Sequence, residues 1–449
     1  MLVKFSASFI YTVLFICKDT IIITTEGLGT ELIPVLKGSV MIVAAFLVSG
    51  IYSSLTNRYT FDKVFKIFIS FFMISFLVYG FILYPNRETL SLDRTYYYLL
   101  NYVGASHSYW LAIFRFWFHS FFYVIAEMWG SLVIVTLFWG TANTVNDIEQ
   151  ASRSYNIFSA SGHLATIISG FLAAFITQKM GTYEHSIQIL LLISFVFALI
   201  IYLNISYISK NFNLAIYKTN KKIKISFLNS LRKILSSKYL LSICLMVVTY
   251  GFTINMVEVY WKDTVKLAYS DAKDFQAIMS TVLGLLGLSS LLFSIFLSGN
   301  IIRAWGWKRS ALLSPISIGL LIILFFVFYM CYQLTPNYSI LGYSFVKIAI
   351  VIGAIHNVTA KLLKYCMFDP IKEMAYIPLS YHEKINGKAA IEVISSRLGK
   401  SGSSWMQIIA MEILGTALLS DTFFYLIPTV FVGMLVWIFA VKHIGSKLG

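Results

Sequence analysis

The chain has 449 residues, of which 58% are apolar and only 12% are charged, and its mean hydropathy is +0.77. A soluble protein of this length needs more polar surface than this composition supplies. A net charge of +15 would suit a soluble nucleic-acid-binding protein, but here the basic residues lie mainly between apolar runs. That distribution is the one the positive-inside rule predicts, so we expect a lipid bilayer as partner and no nucleic acid.

Apolar runs of about 20 residues, the length that a helix needs to cross a bilayer, recur along the chain. Runs such as Ala311–Met330 and Phe423–Val441 are continuously apolar, whereas membrane β-strands alternate. We therefore predict an all-α membrane protein. Its twelve transmembrane helices are predicted at 4–25, 33–56, 64–84, 110–139, 156–178, 186–209, 239–262, 277–300, 309–333, 341–364, 389–416 and 421–442.

The segment between the sixth and seventh predicted spans is strongly basic. Positions 210–238 contain eight lysine or arginine residues and no aspartate or glutamate. The positive-inside rule places such a segment in the cytoplasm, and six spans on either side then place both termini there. We predict two six-helix halves, 1–209 and 239–449, joined by a basic cytoplasmic linker at 210–238.

A short repeat supports this division into halves. The tripeptide Lys-Asp-Thr ends the first predicted span at Lys18–Thr20 and the seventh at Lys262–Thr264. Two related six-helix halves are the layout of the major facilitator architecture, in which the substrate site lies at the membrane midplane between them. We include Lys18, Asp19 and Lys262 among the candidate substrate-binding residues.

Two glutamates lie inside apolar runs. No other charged residue occurs near Glu127 between Arg115 and Asp147, and Glu258 lies nearer the end of the seventh span. A charged side chain at the bilayer centre costs about 2.5–3.5 kcal/mol even on lenient insertion scales. Either glutamate could be a neutral or hydrogen-bonded carboxyl between helices, but such residues usually face a water-filled cavity and contact substrate or each other.

Basic residues are also predicted at membrane depth. Arg397 and Lys400 lie three residues apart on one face of the eleventh span, and two like charges at this spacing favour a bound anion such as phosphate. Lys37, four residues into the second span, fits either phosphate binding or snorkelling to the interface. Our hypothesis is that Lys37, Lys400, Glu127 and Glu258 line one cavity. Carboxylates and lysines would pair there until a polyphosphate displaces the carboxylates.

Motifs for enzyme chemistry are incomplete. Gly399-Lys400-Ser401 lacks the glycine that a P-loop has five residues before its last glycine, because position 394 is Ile. The seven histidines and four cysteines show no metal-ligand spacing. We therefore predict no metal, no cofactor and no catalytic residue.

Ten strings of unusual composition are spread over nearly the whole chain. They are Lys18–Thr24, Ile33–Lys37, Leu83–Asn86, Ala126–Ser131, Phe138–Asn143, Asn255–Lys262, Lys364–Asp369, Lys372–Pro378, Gly387–Ala390 and Arg397–Gly402. In these strings the chain resembles the non-mitochondrial ATP/ADP translocases, the nucleotide transporters of plastids and obligate intracellular bacteria.

The resemblance implies exchange of external ATP for internal ADP plus phosphate, by which a cell draws energy from its host. It also implies that the family's transport-critical charges correspond to Lys37, Glu127, Glu258 and Lys400, all of which are retained here. Asn143, which ends one of the ten strings, joins the candidate substrate-binding set.

Other interpretations stay open. The carrier could transport another nucleotide, NAD or a phosphorylated metabolite, by exchange or by proton symport through Glu127 or Glu258. A rival of another class is an integral-membrane enzyme such as a lipid-modifying transferase, whose nearest candidate cluster is His382-Glu383-Lys384.

The expected location is the inner membrane of a bacterium. High Ile, Lys, Asn, Tyr and Phe usage is typical of an AT-rich genome and favours a bacterium that lives inside cells. We predict that the monomer is the functional unit and that it works by alternating access, with the two halves rocking around the substrate.

Overall fold

The structure, a computed structural model, describes residues 1–145, 148–212, 234–296, 298–340, 342–379 and 381–448. Within these ranges the backbone alone is described for 144, 148–153, 156, 212, 298–299, 381–390, 392–397 and 448. The described chain is mainly helical, and a two-stranded hairpin joins β1 (Ser339–Ile340) to β2 (Tyr343–Ser344) in antiparallel register. The prediction of an all-α membrane fold is confirmed.

Eleven helices in the described residues are long and apolar enough to cross a membrane. They are span 1 (Leu2–Thr24), span 2 (Leu32–Arg58), span 3 (Phe61–Leu83), span 4 (Trp117–Asn143), span 5 (Ile157–Lys179), span 6 (Tyr183–Asn211), span 7 (Lys238–Ala268), span 8 (Ala272–Phe296), span 9 (Asn300–Leu334), span 10 (Phe345–Ala375) and span 12 (Leu419–Lys447). The remaining prediction, at 389–416, lies within the helix Tyr381–Leu414, which we call span 11.

Glycines in the left-handed region define two of the helix boundaries. Gly415 has φ +62° directly after span 11, where an L side chain would be strained, and the helix ends there. Gly306 has φ +71° and interrupts the helix Ser298–Leu334 near its start. The long apolar part of span 9 therefore follows this break.

The described chain groups into two compact units. Unit 1 contains Met1–Leu32, Ser39–Lys222 and Tyr269–Leu291, and unit 2 contains Ile33–Gly38, Ile223–Ala268 and Leu292–Gly449. Most of the predicted basic linker, at 213–233, lies outside the described residues. The division into halves at 209 and 239 therefore stays a prediction.

In unit 1, spans 5 and 8 cross with their backbones in contact. A methyl group added at Gly170 would lie 2.5 Å from the backbone nitrogen of Gly284, and one added at Gly287 would lie 2.7 Å from that of Ile167. Small residues at such positions are what allow membrane helices to approach closely. The crossing therefore depends on the absence of these side chains.

In unit 2, span 7 packs against spans 10 and 11. Its Trp261 ring covers Gly353 of span 10 and donates a hydrogen bond of 3.0 Å to the carbonyl oxygen of Ile350. On span 11, Gly399 meets Gly251 of span 7 so closely that a methyl group on Gly399 would lie 3.1 Å from the Gly251 Cα. Span 7 thus has fixed neighbours on two sides, and they determine which side chains surround its charged residues.

Candidate functional site

In unit 2, the carboxylate of Glu258 lies between two lysine ammonium groups. Its Oε1 atom is 2.9 Å from the Nζ of Lys262 and 3.3 Å from the Nζ of Lys361. The exposed fraction of the side chain is 9% for Glu258, 0% for Lys262 and 20% for Lys361. We call these three residues the Glu258 cluster. A buried carboxylate is tolerated in an apolar helix because it is paired in this way.

Two different constraints position the lysines. Lys262 lies four residues after Glu258 on span 7, the spacing that places side chains on one helix face. Lys361 comes from span 10, whose backbone is held against span 7 at two levels: by the bond from Trp261 to Ile350 and by a 3.3 Å bond from the Tyr250 hydroxyl to the carbonyl oxygen of Ala360. Helix packing therefore brings Lys361 to the carboxylate.

Lys37 lies beside this cluster in unit 2. Its side chain is buried, its Nζ donates a 2.8 Å hydrogen bond to Oδ1 of Asn255, and its charge acts on the Glu258 carboxylate. The ammonium group points to a polar partner inside the protein rather than snorkelling to the interface.

Asn255 connects spans 2, 7 and 11. While its Oδ1 accepts from Lys37, its Nδ2 donates to the Ser403 hydroxyl at 2.7 Å and, over 3.4 Å, to the carbonyl oxygen of Lys400. The indole of Trp405 adds a second link between spans 11 and 2, a 3.0 Å bond to the carbonyl oxygen of Gly38. Lys37 and the backbone of Lys400 are thereby bridged by a single amide, and the Lys400 side chain is exposed.

Unit 1 contains a second charged cluster. The Nζ of Lys18 is 2.7 Å from Oδ1 of Asp19 and 3.8 Å from Oε2 of Glu127, and it lies 4.2 Å from the ring centroid of Tyr123 and 4.7 Å from that of Phe15. Lys18 and Asp19 are fully buried, and the Glu127 side chain is 17% exposed. Cation–π contacts and two carboxylates together stabilise the buried ammonium.

The repeated tripeptide and the two predicted glutamates belong together. Lys18 and Lys262, the first residues of the two tripeptides, are both buried, and each pairs with one of the glutamates predicted from hydropathy, Glu127 and Glu258. The tripeptides and the glutamates were predicted separately, because the pair in unit 1 joins spans 1 and 4 and depends on tertiary packing. In unit 2 the lysine and the glutamate lie four residues apart on the same helix.

π-helical segments lie next to the charged residues on three spans. Lys37 lies within Leu36–Val40, Glu127 lies three residues before Gly130–Phe138, and Lys361 lies three residues before Lys364–Phe368. Wide π turns in helices occur frequently at functional sites, because they re-aim the neighbouring side chains.

Two other predicted residues lie apart from these clusters or outside the description. Asn143 is exposed and accepts a hydrogen bond from the Tyr155 hydroxyl. It follows Glu127 by 16 residues, roughly 24 Å along a helix, so it does not contact the unit 1 cluster. The Arg397 side chain lies outside the described residues.

Sequence reasoning missed Lys361, Asn255 and Ser403. Lys361 is close to the end of its predicted span, where lysines often reach the interface, and the other two are uncharged. The available signal was position: Asn255 precedes Glu258 by three residues and so shares its helix face. His356 of span 10 is fully buried, and neither ring nitrogen has a hydrogen-bond partner among the described residues.

The charges in unit 2 suit an anionic ligand. Around the one carboxylate of Glu258 lie the ammonium groups of Lys37, Lys262 and Lys361, and Lys400 adds a further exposed cation on span 11. Among the described residues no group of three or more His, Cys, Asp or Glu could hold a metal ion. That these residues bind substrate stays a prediction.

The fold matches those of solved membrane transporters. The chain superposes on a D-xylose-proton symporter with a TM-score of 0.60 and 14% identity, covering 99% of this chain and 95% of the symporter. A bacterial homologue of the iron transporter ferroportin gives a TM-score of 0.59 and 13% identity, covering 99% and 96%. At these identities the likeness establishes a major-facilitator-like fold.

Sequence relatives identify the family. "ADP,ATP carrier protein 1" of Chlamydia pneumoniae is 32% identical over 433 residues, covering 92% of this chain and 84% of the relative. "ADP,ATP carrier protein 3" of Rickettsia bellii is 30% identical over 456 residues, covering 96% and 90%. The model of the family described as TLC ATP/ADP transporter matches residues 1–448. The chain therefore belongs to the TLC ATP/ADP transporter family.

Proposed function

We propose that this protein is a membrane carrier that exchanges ATP for ADP, with phosphate, by alternating access. The observation that carries the proposal is the buried carboxylate of Glu258, which two lysines, Lys262 and Lys361, meet within the apolar spans 7 and 10. Charged residues at this depth usually serve a substrate or ion pathway. The relatives' names, ADP,ATP carrier proteins, support ATP and ADP as the substrates.

In the proposed mechanism Lys37 and Lys400 bind phosphate oxygens as compact point charges. Glu258 and Glu127 balance lysine charge while no nucleotide is bound. A site whose lysines lack a counter-charge is costly to enclose at low dielectric. This cost favours reorientation of the carrier while a nucleotide is bound. Exchange rather than one-way import follows from that preference.

No chemical step is needed, so we propose a transporter and not an enzyme. The concentration gradients of ATP and ADP set the direction of exchange. The rival enzyme reading relied on His382-Glu383-Lys384, whose side chains lie outside the described residues. We further propose that the monomer is the functional unit, in a bacterial inner membrane with both termini cytoplasmic, as the basic segment 210–238 favours.

Uptake by intact cells tests the function directly. Bacteria expressing the protein should accumulate ATP labelled at the α-phosphate, and cells with empty vector should not. After loading, unlabelled external ADP should release the label rapidly, whereas buffer alone should release it slowly. Label that enters but is not released by ADP would indicate import rather than exchange. A competitor panel of other nucleotides, NAD and phosphorylated metabolites identifies the preferred substrate.

Two charge-removing variants test the proposed site. Glu127→Gln and Lys400→Ala should each reduce ATP/ADP exchange at least about tenfold, since each removes a charged interaction worth about 1.5–3 kcal/mol. Matched controls are Glu184→Gln, in a partly exposed pair with Arg87, and Lys442→Ala, at an exposed position. Normal exchange by both site variants, at equal amounts in the membrane, would show the charge hypothesis to be wrong.

A further inference from the structure

We propose that Lys361 is a phosphate-binding residue that changes partner during transport: it pairs with Glu258 in the empty carrier and moves to the terminal phosphates of a bound nucleoside di- or triphosphate. The inference rests on the proposed function and extends it to a residue of span 10.

The two lysines of the Glu258 cluster differ in how firmly they are held. Lys262 is on the same helix as Glu258, is 0% exposed and lies 2.9 Å from the carboxylate, so it is a permanent partner. Lys361 comes from another helix, is 20% exposed and lies at 3.3 Å. Its ammonium group is the one that a ligand can reach, and its flexible four-carbon stem allows the group to move while the backbone stays in place.

Charge gives Lys361 a reason to change partner. Lys361 shares the carboxylate of Glu258 with Lys262, and the charge of Lys37 acts on the same carboxylate. The terminal phosphate of a nucleotide carries more negative charge than a carboxylate, so it offers the Lys361 ammonium a stronger counter-charge. Glu258 is the partner of Lys361 until the phosphate binds.

The packing of span 10 keeps this movement local. Ala360, the residue before Lys361, accepts the hydrogen bond from Tyr250, and one to two turns earlier Gly353 lies beneath the Trp261 ring. The π-helical segment Lys364–Phe368 begins directly after this anchored stretch. The backbone that carries Lys361 is thus fixed from one side, and only the side chain needs to exchange partners.

The chemistry specifies what Lys361 recognises. A lysine presents a point charge without a planar fork, so it favours a highly charged group over any particular oxygen geometry. Its effect should therefore grow with the number of phosphates on the nucleotide. ATP and ADP should depend on Lys361 strongly, and AMP weakly.

Transport kinetics of matched lysine variants test this. Lys361→Met should raise the apparent KM for ATP by about tenfold or more, the size of a lost charged hydrogen bond, and change inhibition by AMP by less than about threefold. In Lys361→Met, inorganic tripolyphosphate should inhibit ATP uptake about tenfold more weakly than it does in the parent protein. The control is Lys364→Met, three residues later on span 10, whose exposed pair with Asp369 spans 3.7 Å. Its KM should stay near that of the parent protein.

A second variant separates phosphate binding from simple charge balance. If Lys361 only offsets Glu258, then adding Lys361→Met to Glu258→Gln should leave the KM for ATP unchanged from that of Glu258→Gln alone. Phosphate binding predicts that Lys361→Met still raises the KM for ATP in this background, and an unchanged KM would overturn the inference.

Protein amounts in the membrane are measured for each variant. If Lys361→Met does not reach the membrane, Lys361→Gln is measured in its place against the same expectations. Parent protein that exchanges no ATP would refute the proposed function itself. Normal ATP kinetics in the Lys361 variant of an active carrier would refute only the inference.

Discussion

Replacing Glu258 by glutamine removes one charge from the centre of the cluster with little change in volume. In the structure this carboxylate, 9% exposed, faces the ammonium groups of Lys262 at 2.9 Å and Lys361 at 3.3 Å. Breaking a buried ion pair by neutralising one partner destabilises a protein by about 3–5 kcal/mol, because the other charge stays buried. We expect about 3 kcal/mol here, since the amide oxygen still accepts a hydrogen bond and Lys361 is partly exposed.

The assay is thermal unfolding of the purified protein in detergent, with and without ATP. The empty Glu258→Gln protein should unfold at a clearly lower temperature than the parent. Saturating ATP should stabilise the variant more than it stabilises the parent, because the phosphates supply the negative charge that the glutamine lacks. Ligand binding to the folded state alone raises stability in this way.

The matched control is Glu373→Gln. Glu373 pairs with Lys372 at 3.6 Å, but its side chain is 46% exposed, so its loss should change stability by no more than about 0.5 kcal/mol. The reasoning is refuted if Glu258→Gln unfolds at the same temperature as this control and gains the same stabilisation from ATP.

Three further predictions concern packing and the other charged groups. Asn255→Leu removes the oxygen that accepts a hydrogen bond from the buried Lys37 ammonium and should lower the free energy of unfolding by about 1–3 kcal/mol, whereas Asn255→Asp keeps an acceptor there and should retain most of the stability. Gly170→Ala places a methyl group 2.5 Å from a backbone nitrogen and should lower the free energy of unfolding by about 1–3 kcal/mol. Gly50→Ala, which has open space around the added methyl group, should leave the free energy of unfolding unchanged or raise it, and the same unfolding assay compares the two variants. Lys18→Met removes the cation beside the carboxylates of Asp19 and Glu127 and should lower the free energy of unfolding by about 3 kcal/mol, against less than about 1 kcal/mol for Lys66→Met, whose pair is partly exposed; equal melting temperatures would contradict this.

The fold could be predicted closely from the sequence, because length and hydropathy are local properties. Eleven of the twelve predicted spans coincide with apolar helices, and most of their ends agree within seven residues; span 9 begins nine residues before its predicted start, and span 10 ends eleven residues after its predicted end. Span 11 differs from the other spans because its helix begins at Tyr381, in a polar stretch that precedes the predicted apolar part. A helix that is polar over its first turns shows no local signal of where it begins.

The site could be predicted only in part. Glu127 and Glu258 were found because a charge inside an apolar run is costly wherever its partner lies. Their partners could not be found in this way, since Lys18 and Lys361 reach them from other helices. Asn255 was missed for another reason: an uncharged amide in a membrane helix is common, and its importance depends on the three spans that converge on it.

The two units place the lysine of the same tripeptide beside a glutamate in different ways. In unit 1, Lys18 of span 1 lies 3.8 Å from Glu127 of span 4, so the pair joins two helices. In unit 2, Lys262 and Glu258 lie four residues apart on span 7, and the lysine that reaches this glutamate from another helix is Lys361 of span 10. The contact between helices therefore uses the lysine of the tripeptide in unit 1 and a lysine outside the tripeptide in unit 2. The repeat in the sequence does not predict this difference, because the difference depends on which helix carries the glutamate.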